Sequence, residues 1–196
     1  MIRLFDVFRK GNFKQLSAVA FFLKCMERFD PNTHNCPKCG TKHPRWKRHG
    51  SYTRDLISFE QNDTVFYRIT VMRYKCSSCK GTHAILPASI IPYGSYSLLF
   101  IIAVMEDYHS RSMTIKQLCK KYSISKSTLY EWKALYLKHK KVWLGLLADA
   151  GQSPVQFLSG FLDGSRLRQL DEFFRIAGVS FLQGYRAKTA HCIPGG

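Results

Sequence analysis

Two Cys-X-X-Cys pairs limit what this chain can fold into more than any other feature. Cys36-Pro-Lys-Cys39-Gly and Cys76-Ser-Ser-Cys79-Lys stand 36 residues apart. In each pair the two-residue gap lets a tight turn aim both sulfurs at one point, and amides in the turn can bond to the sulfurs. Four soft thiolates in a closed tetrahedral shell select Zn2+. Such a site leaves no position for water, so the expected zinc is structural and not catalytic. The competing readings are two coincidental pairs or a redox dithiol. A redox motif needs one pair in a thioredoxin-like setting, and neither condition fits. His34, His43 and His83 lie near the pairs and could compete as ligands, although a neighbouring histidine more often supports a ligand than replaces one. Cys25, Cys119 and Cys192 are left over and read as unpaired core or surface thiols.

Between the pairs lie two strand-like stretches, Ser51–Phe59 and Thr64–Tyr74, with Gln61-Asn62-Asp63 as the turn. Residues 31–93 therefore read as a zinc ribbon, two cysteine turns holding a small antiparallel sheet. Its surface is basic and aromatic. Arg45, Lys47 and Arg48 follow the first pair, and Arg54, Arg68 and Arg73 interleave with Tyr52, Phe66, Tyr67 and Tyr74. Basic groups neutralise phosphates and rings pack on sugars or bases, so these six cations are candidate DNA contacts. A solvated face on a sheet too small to hide its aromatics would look the same.

A second signal spans residues 114–138. Thr114 with Gln117 three positions on is a capping-box pattern. Leu118 and Tyr122 share a helix face. Ser123, Ile124 and Ser125 interrupt it, and Ser125 can cap a second helix carrying Leu129 and Trp132. Cys119 is small enough for close approach. The pattern resembles the helix-turn-helix of DNA-binding proteins, whose second helix enters the major groove. Its exposed candidates are Ser125, Lys126, Ser127, Tyr130 and Lys133. The turn carries Ser123 where such motifs often have Gly, which predicts a positive φ at a non-glycine residue. A plain helical hairpin in a core is the competing reading.

Charge agrees with a polyanionic partner. Thirty Lys+Arg against thirteen Asp+Glu give +17. The excess is +7 over residues 31–93 and +5 over 94–150, where both motifs lie. The longest purely apolar run, Leu98 to Met105, is far short of the roughly 20 residues a membrane helix needs. Cations precede the apolar Leu16–Leu23 as in a signal peptide, but Lys24 follows at once and no small-residue cleavage site appears. The expectation is no membrane partner, a cytoplasmic, nucleoid-associated location and reduced thiols.

The whole reads as α+β, a small antiparallel zinc ribbon followed by a mainly helical unit. Residues 1–30 are expected to be a helical arm. Residues 94–150 hold the helix pair, with Leu98–His109 as a buried first helix. Residues 84–97, with Pro87 and Pro92, form an extended connector. The stripe Leu129, Trp132, Tyr136, Trp143 and Leu147 extends the second helix towards Asp149, for core packing or a homodimer contact. Residues 151–196 are a helical extension ending in a frayed Pro194-Gly-Gly tail.

The order of basic zinc ribbon, connector and helix-turn-helix resembles the DNA-binding half of bacterial insertion-sequence transposases, and short transposase-like bacterial proteins, over roughly residues 34–145. The resemblance rests on Cys36, Cys39, Cys76 and Cys79, the Arg/Tyr-rich strands, and the Leu118-to-Trp132 pattern. Those transposases continue into a ribonuclease-H-like domain whose three carboxylates hold two metal ions. Only about fifty residues follow here, too few for that fold. Asp163, in Phe161-Leu-Asp-Gly164, imitates its first carboxylate, with Asp171 and Glu172 close behind. A lone acidic residue at a turn is the reading taken. The resemblance implies a non-enzymatic protein of a mobile element that binds double-stranded DNA and has a transposase as protein partner. A transcriptional regulator, an RNA- or protein-binding ribbon, and an enzyme fragment completed by a partner remain as alternatives.

Overall fold

The computed structural model describes residues 1–4, 17–146 and 151–184. Cys192, Leu147, Asp149 and the Pro194-Gly-Gly tail lie outside the described residues.

A long hairpin forms the frame. Strands β2 (Trp46–Glu60) and β3 (Asp63–Cys76) pair antiparallel from Trp46↔Cys76 to Glu60↔Asp63. Gln61 and Asn62 both turn left-handed, at φ 51° and 64°. Two such residues in succession make the tight turn whose twist matches that of the strands it joins. Strand β4 (Thr82–Pro87) pairs antiparallel with β3, and β1 (Ile2–Leu4) pairs parallel with β4. The order is β1-β4-β3-β2.

Two expectations change here. The sheet is mixed and four-stranded, not a purely antiparallel ribbon, and β4 takes Ala84–Pro87 from the expected connector. The expected helical arm is also changed at its start, where Ile2–Leu4 is a strand; helix α1 covers Ala18–Glu27, and residues 5–16 of the expected arm lie outside the described residues. Pairing Ile2 with Ile85 is a contact distant in sequence, and such contacts leave no local periodicity to read.

Helix α2 (Leu98–Ser110) opens on Ser97, whose hydroxyl accepts from the Phe100 amide at 3.1 Å. Helices α3 (Ile115–Lys121) and α4 (Lys126–Leu146) follow, then α5 (Pro154–Leu162) and α6 (Gln169–Ala177). On α4, Leu129, Trp132, Tyr136, His139 and Trp143 are all buried. Trp143 stacks on Phe173 at 4.9 Å and meets Phe157, Phe161 and Phe181 edge-on. Residues 151–184 are therefore no appendage, because they complete the core that α4 begins. The described part of the stripe considered for a dimer contact, Leu129, Trp132, Tyr136 and Trp143, is buried within the chain itself. A smaller core joins Phe22, Leu56, Ile69, Val71, Leu86 and Ile90 on one sheet face.

The connector from Ala88 to Ser97 is fixed along its length. Ile57 exchanges backbone bonds with Ser95 and Ser97 at 2.8 Å each, so the connector runs parallel to the outer edge of β2. Arg3 donates to the Ile90 carbonyl at 2.8 Å and the Ala88 carbonyl at 3.3 Å. Arg54 donates to the Ile91 carbonyl at 3.1 Å and to that of Gly94. Two guanidiniums thus brace one stretch of backbone, and Arg3 does so at only 8% exposure.

Candidate metal centre and nucleic-acid surface

The two cysteine turns are built alike. In the first, the Gly40 amide donates to the Cys36 carbonyl (2.9 Å) and the Cys36 amide to Thr41 (3.0 Å). In the second, the Lys80 amide donates to Cys76 (3.1 Å) and the Cys76 amide to Gly81 (2.9 Å). Each turn needs a left-handed residue just after its second cysteine, Gly40 at φ 71° and Lys80 at φ 58°. Glycine takes this conformation freely; Lys80 bears a cost that the rest of the turn must offset.

The turns bring the four sulfurs of Cys36, Cys39, Cys76 and Cys79 within 4.8 Å of one another. Cys36 Sγ lies 3.7 Å from Cys79 Sγ, and Cys39 Sγ lies 3.9 Å from Cys76 Sγ. A tetrahedron of thiolates at the usual zinc–sulfur bond length has edges of about 3.8 Å, so the cluster fits a four-thiolate metal site. The Thr41 hydroxyl, 3.1 Å from Cys39 Sγ, helps pull that thiol down to about 6. The Gly81 amide pulls Cys79 down, but burial and the three other thiols push it up to about 11. A bound metal ion would deprotonate all four.

Of the three nearby histidines, His83 touches the cluster, with Nε2 3.5 Å from Cys36 Sγ. His43 bonds instead to the Asn32 carbonyl, and His34 stacks on Phe29. Gly81 was not singled out in the sequence. A Cβ there would lie 3.3 Å from Cys79 Sγ and 3.4 Å from His83 Nε2, so glycine gives the cluster room. Its signal was the matching position of Thr41 in the first turn. Cys25 is buried away from the cluster, and burial pushes its thiol up to about 12.

The α3–α4 pair is held by local bonds. Thr114 and Gln117 form a reciprocal capping box. At the end of α3 the Ile124 amide reaches the Cys119 carbonyl (3.0 Å) and the Ser123 amide that of Lys120 (3.3 Å). With Ser123 left-handed at φ 51°, this is a Schellman closure. Ser125 then caps α4 by accepting from the Thr128 amide at 3.1 Å. Asp107 on α2 grips α3 through Lys121 (2.7 Å) and the Tyr122 hydroxyl (2.9 Å).

Ser125, Lys126, Ser127 and Tyr130 are exposed on α4, Tyr130 at 46%. Lys133 departs from this set. It is half-buried and lies over the Tyr108 ring, 5.4 Å from its centroid. The first turn of α4 carries no acidic residue.

The six ribbon candidates do not form one surface. Strand register puts Arg48 and Arg68 on the sheet face of Phe59 and Thr64, which meets the helices. There Thr64 donates to the Tyr122 carbonyl at 3.1 Å and Phe59 packs on Tyr122. Phe66, on the same face, is 69% exposed. Lys47, Arg54 and Arg73 lie on the opposite face, and Arg45 precedes β2. Arg54 is only half-exposed, and its Nη2 is held by the connector carbonyls, which fixes the guanidinium against the sheet. Periodicity could not show this, since a cation looks the same whether it meets a phosphate or a carbonyl.

Asp163 sits at the C-cap of α5 and accepts from the Ser165 amide at 2.8 Å, while Asp171 and Glu172 open α6. Among the described residues, no helix is long and apolar enough to cross a membrane. Neither a curated protein nor a solved structure matches the chain. Residues 36–132 match the profile of DUF6431, a domain of unknown function, a span from the first metal-site cysteine to Trp132 of α4 that takes in the cluster, the hairpin, the connector and the α3–α4 turn.

Proposed function

We propose that this chain is a zinc-stabilised, sequence-specific DNA-binding protein without enzymatic activity of its own, acting in the bacterial nucleoid as a transposase accessory or non-catalytic transposase-like protein. The observation that carries the reading is the exposed start of α4. Ser125, Lys126, Ser127 and Tyr130 project from a helix whose entry is locked by a Schellman closure and a serine cap. Lys126 stands at the positive end of the helix dipole with no carboxylate in that turn, an arrangement that disfavours the free helix and suits a phosphate. In this reading α3 and α4 act as a helix-turn-helix, with α4 in the major groove. Arg48 and Arg68 add backbone contacts from the adjoining sheet face, and Arg45 from the turn before it. Cys36, Cys39, Cys76 and Cys79 would hold Zn2+, which supplies structure and no chemistry. The helix-end position of Asp163 supports the absence of nuclease activity.

Selection of genomic fragments by the zinc-loaded protein at near-physiological salt tests this. One enriched motif is expected. Lys126→Ala with Tyr130→Ala should abolish the preference and leave a salt-sensitive residue of binding. Sites at the ends of repeated elements place the protein in transposition, and sites at promoters make it a regulator. Absence of any enriched motif rejects groove recognition and leaves an RNA- or protein-binding ribbon.

A further inference from the structure

A basic concavity lies away from α4, on the sheet face that carries Arg54 and Arg73. It has a volume of about 490 Å³ and opens between the sheet and the connector. Arg54 and Arg73 line it, with Tyr52 and Thr82 from the strands and Tyr93 from the connector. No residue of its lining is acidic. The Arg54 side chain is already oriented by its bonds to Ile91 and Gly94, and Arg3 is buried close enough for the two guanidiniums to repel. Carbonyls accept from Nη1 and Nη2 of Arg3 and from Nη2 of Arg54, but a carbonyl does not neutralise a charge. Tyr93 is 66% exposed and held left-handed, at φ 64°, on a connector that is otherwise pinned. Tyrosine takes this conformation at a cost that the pinned connector must offset.

We propose that this pocket takes one nucleotide of a single-stranded nucleic acid, with its phosphate on Arg73 and Arg54 and its base against Tyr93 and Tyr52. The volume suits a single nucleotide. Tyrosine rings beside arginines are the usual platform for a splayed base, whereas bases stacked within a duplex cannot enter such a recess. The inference rests on the DNA-binding reading only for the choice of nucleic acid as partner. It places unpaired strand, such as a melted or nicked end, on the sheet while paired DNA lies on α4.

The test is fluorescence anisotropy of the full zinc-loaded chain with an oligodeoxythymidine of about ten nucleotides, run beside a duplex carrying the selected motif. Tyr93→Ala should weaken the oligonucleotide roughly tenfold and leave duplex affinity unchanged, while Tyr93→Phe should retain binding. Arg73→Gln should lower the salt slope for the oligonucleotide by about 0.7, one phosphate contact on a single strand. On the unaltered protein, photocrosslinking of a bromodeoxyuridine-substituted strand should label Tyr93 or Tyr52. Crosslinks confined to α4, or oligonucleotide binding indifferent to Tyr93→Ala, overturn the proposal. So does polyglutamate competing as well as the oligonucleotide, since the pocket would then read charge alone. Failure of the duplex to bind while these results hold would remove the α4 reading and leave the pocket standing.

Discussion

The cysteine end of the sheet and the helical half solve the same stability problem by different means. Around Cys36, Cys39, Cys76 and Cys79 the chain is mostly turn and exposed strand, and the buried neighbours are few: Cys36, Cys76, His83 and the partly covered Trp46. Around Trp143 the chain is mostly helix, and a cluster of fused aromatic contacts excludes water without any cross-link. In the proposed zinc-bound reading, the first region takes its order from one ion held by the four thiolates. The second depends on many dispersed contacts, none of which decides alone. On that reading the sheet end should respond to metal all-or-none, while the helical core should degrade in steps.

The strongest test of that contrast is Cys36→Ser, or removal of metal with a chelator. Zinc affinity at such sites is folding energy on the order of 10 kcal/mol, comparable to the whole stability of a typical domain. Hydrogen exchange should show strands β2 and β3 unprotected at their cysteine ends, while amides of α2 and α4 stay slow. Loss of protection everywhere at once would show that the two regions are one cooperative unit. In the opposite direction, Trp143→Ala should cost about 3–5 kcal/mol by opening the aromatic core. Thermal melts should then fall steeply with zinc content unchanged; a variant that loses zinc as well would break the division.

Acid sharpens the comparison further. His139 is fully buried, and desolvation holds its imidazole down at about 4. A group lowered on folding contributes stability that is present above its unfolded value near 6.5 and lost as pH falls towards 4. The helical half should lose up to about 3 kcal/mol across that window, and His139→Gln should flatten the loss. An unchanged pH profile in that variant would assign the acid sensitivity to the thiolates instead. The smallest effect lies at the hairpin tip. Gln61→Asn, better suited to a left-handed residue, should stabilise the chain by about 0.5 kcal/mol in chemical denaturation. Any larger change would mean that the tip contributes to the helical interface through Thr64.

Features made by neighbours in sequence were legible. The cysteine turns, the hairpin around Gln61 and Asn62, the Thr114–Gln117 box, the cap at Ser125 and the left-handed Ser123 each have a local chemical cause. Features made by distant partners were not. Ile2–Leu4 pairs with β4, far away in sequence, and three residues carry no period. The aromatics of α5 and α6 looked like scattered clusters because their partner is a stripe on α4. Arg54 and Lys133 read as solvent-facing cations, yet one is bound to carbonyls and the other lies over a tyrosine ring. The candidate metal site was therefore readable in full apart from Gly81, and the candidate DNA surface only in part.

The braced connector sets a rule of measurement. A segment pinned by two guanidiniums and a strand edge cannot serve as a hinge, so sheet and helices present a single rigid template. For the proposed DNA complex, the interval between the base pairs met by α4 and the phosphates met by β2 and β3 belongs to the protein. The protein would act as a ruler with one graduation: a target whose two contact points are moved apart by half a helical turn would satisfy one end or the other, and never both.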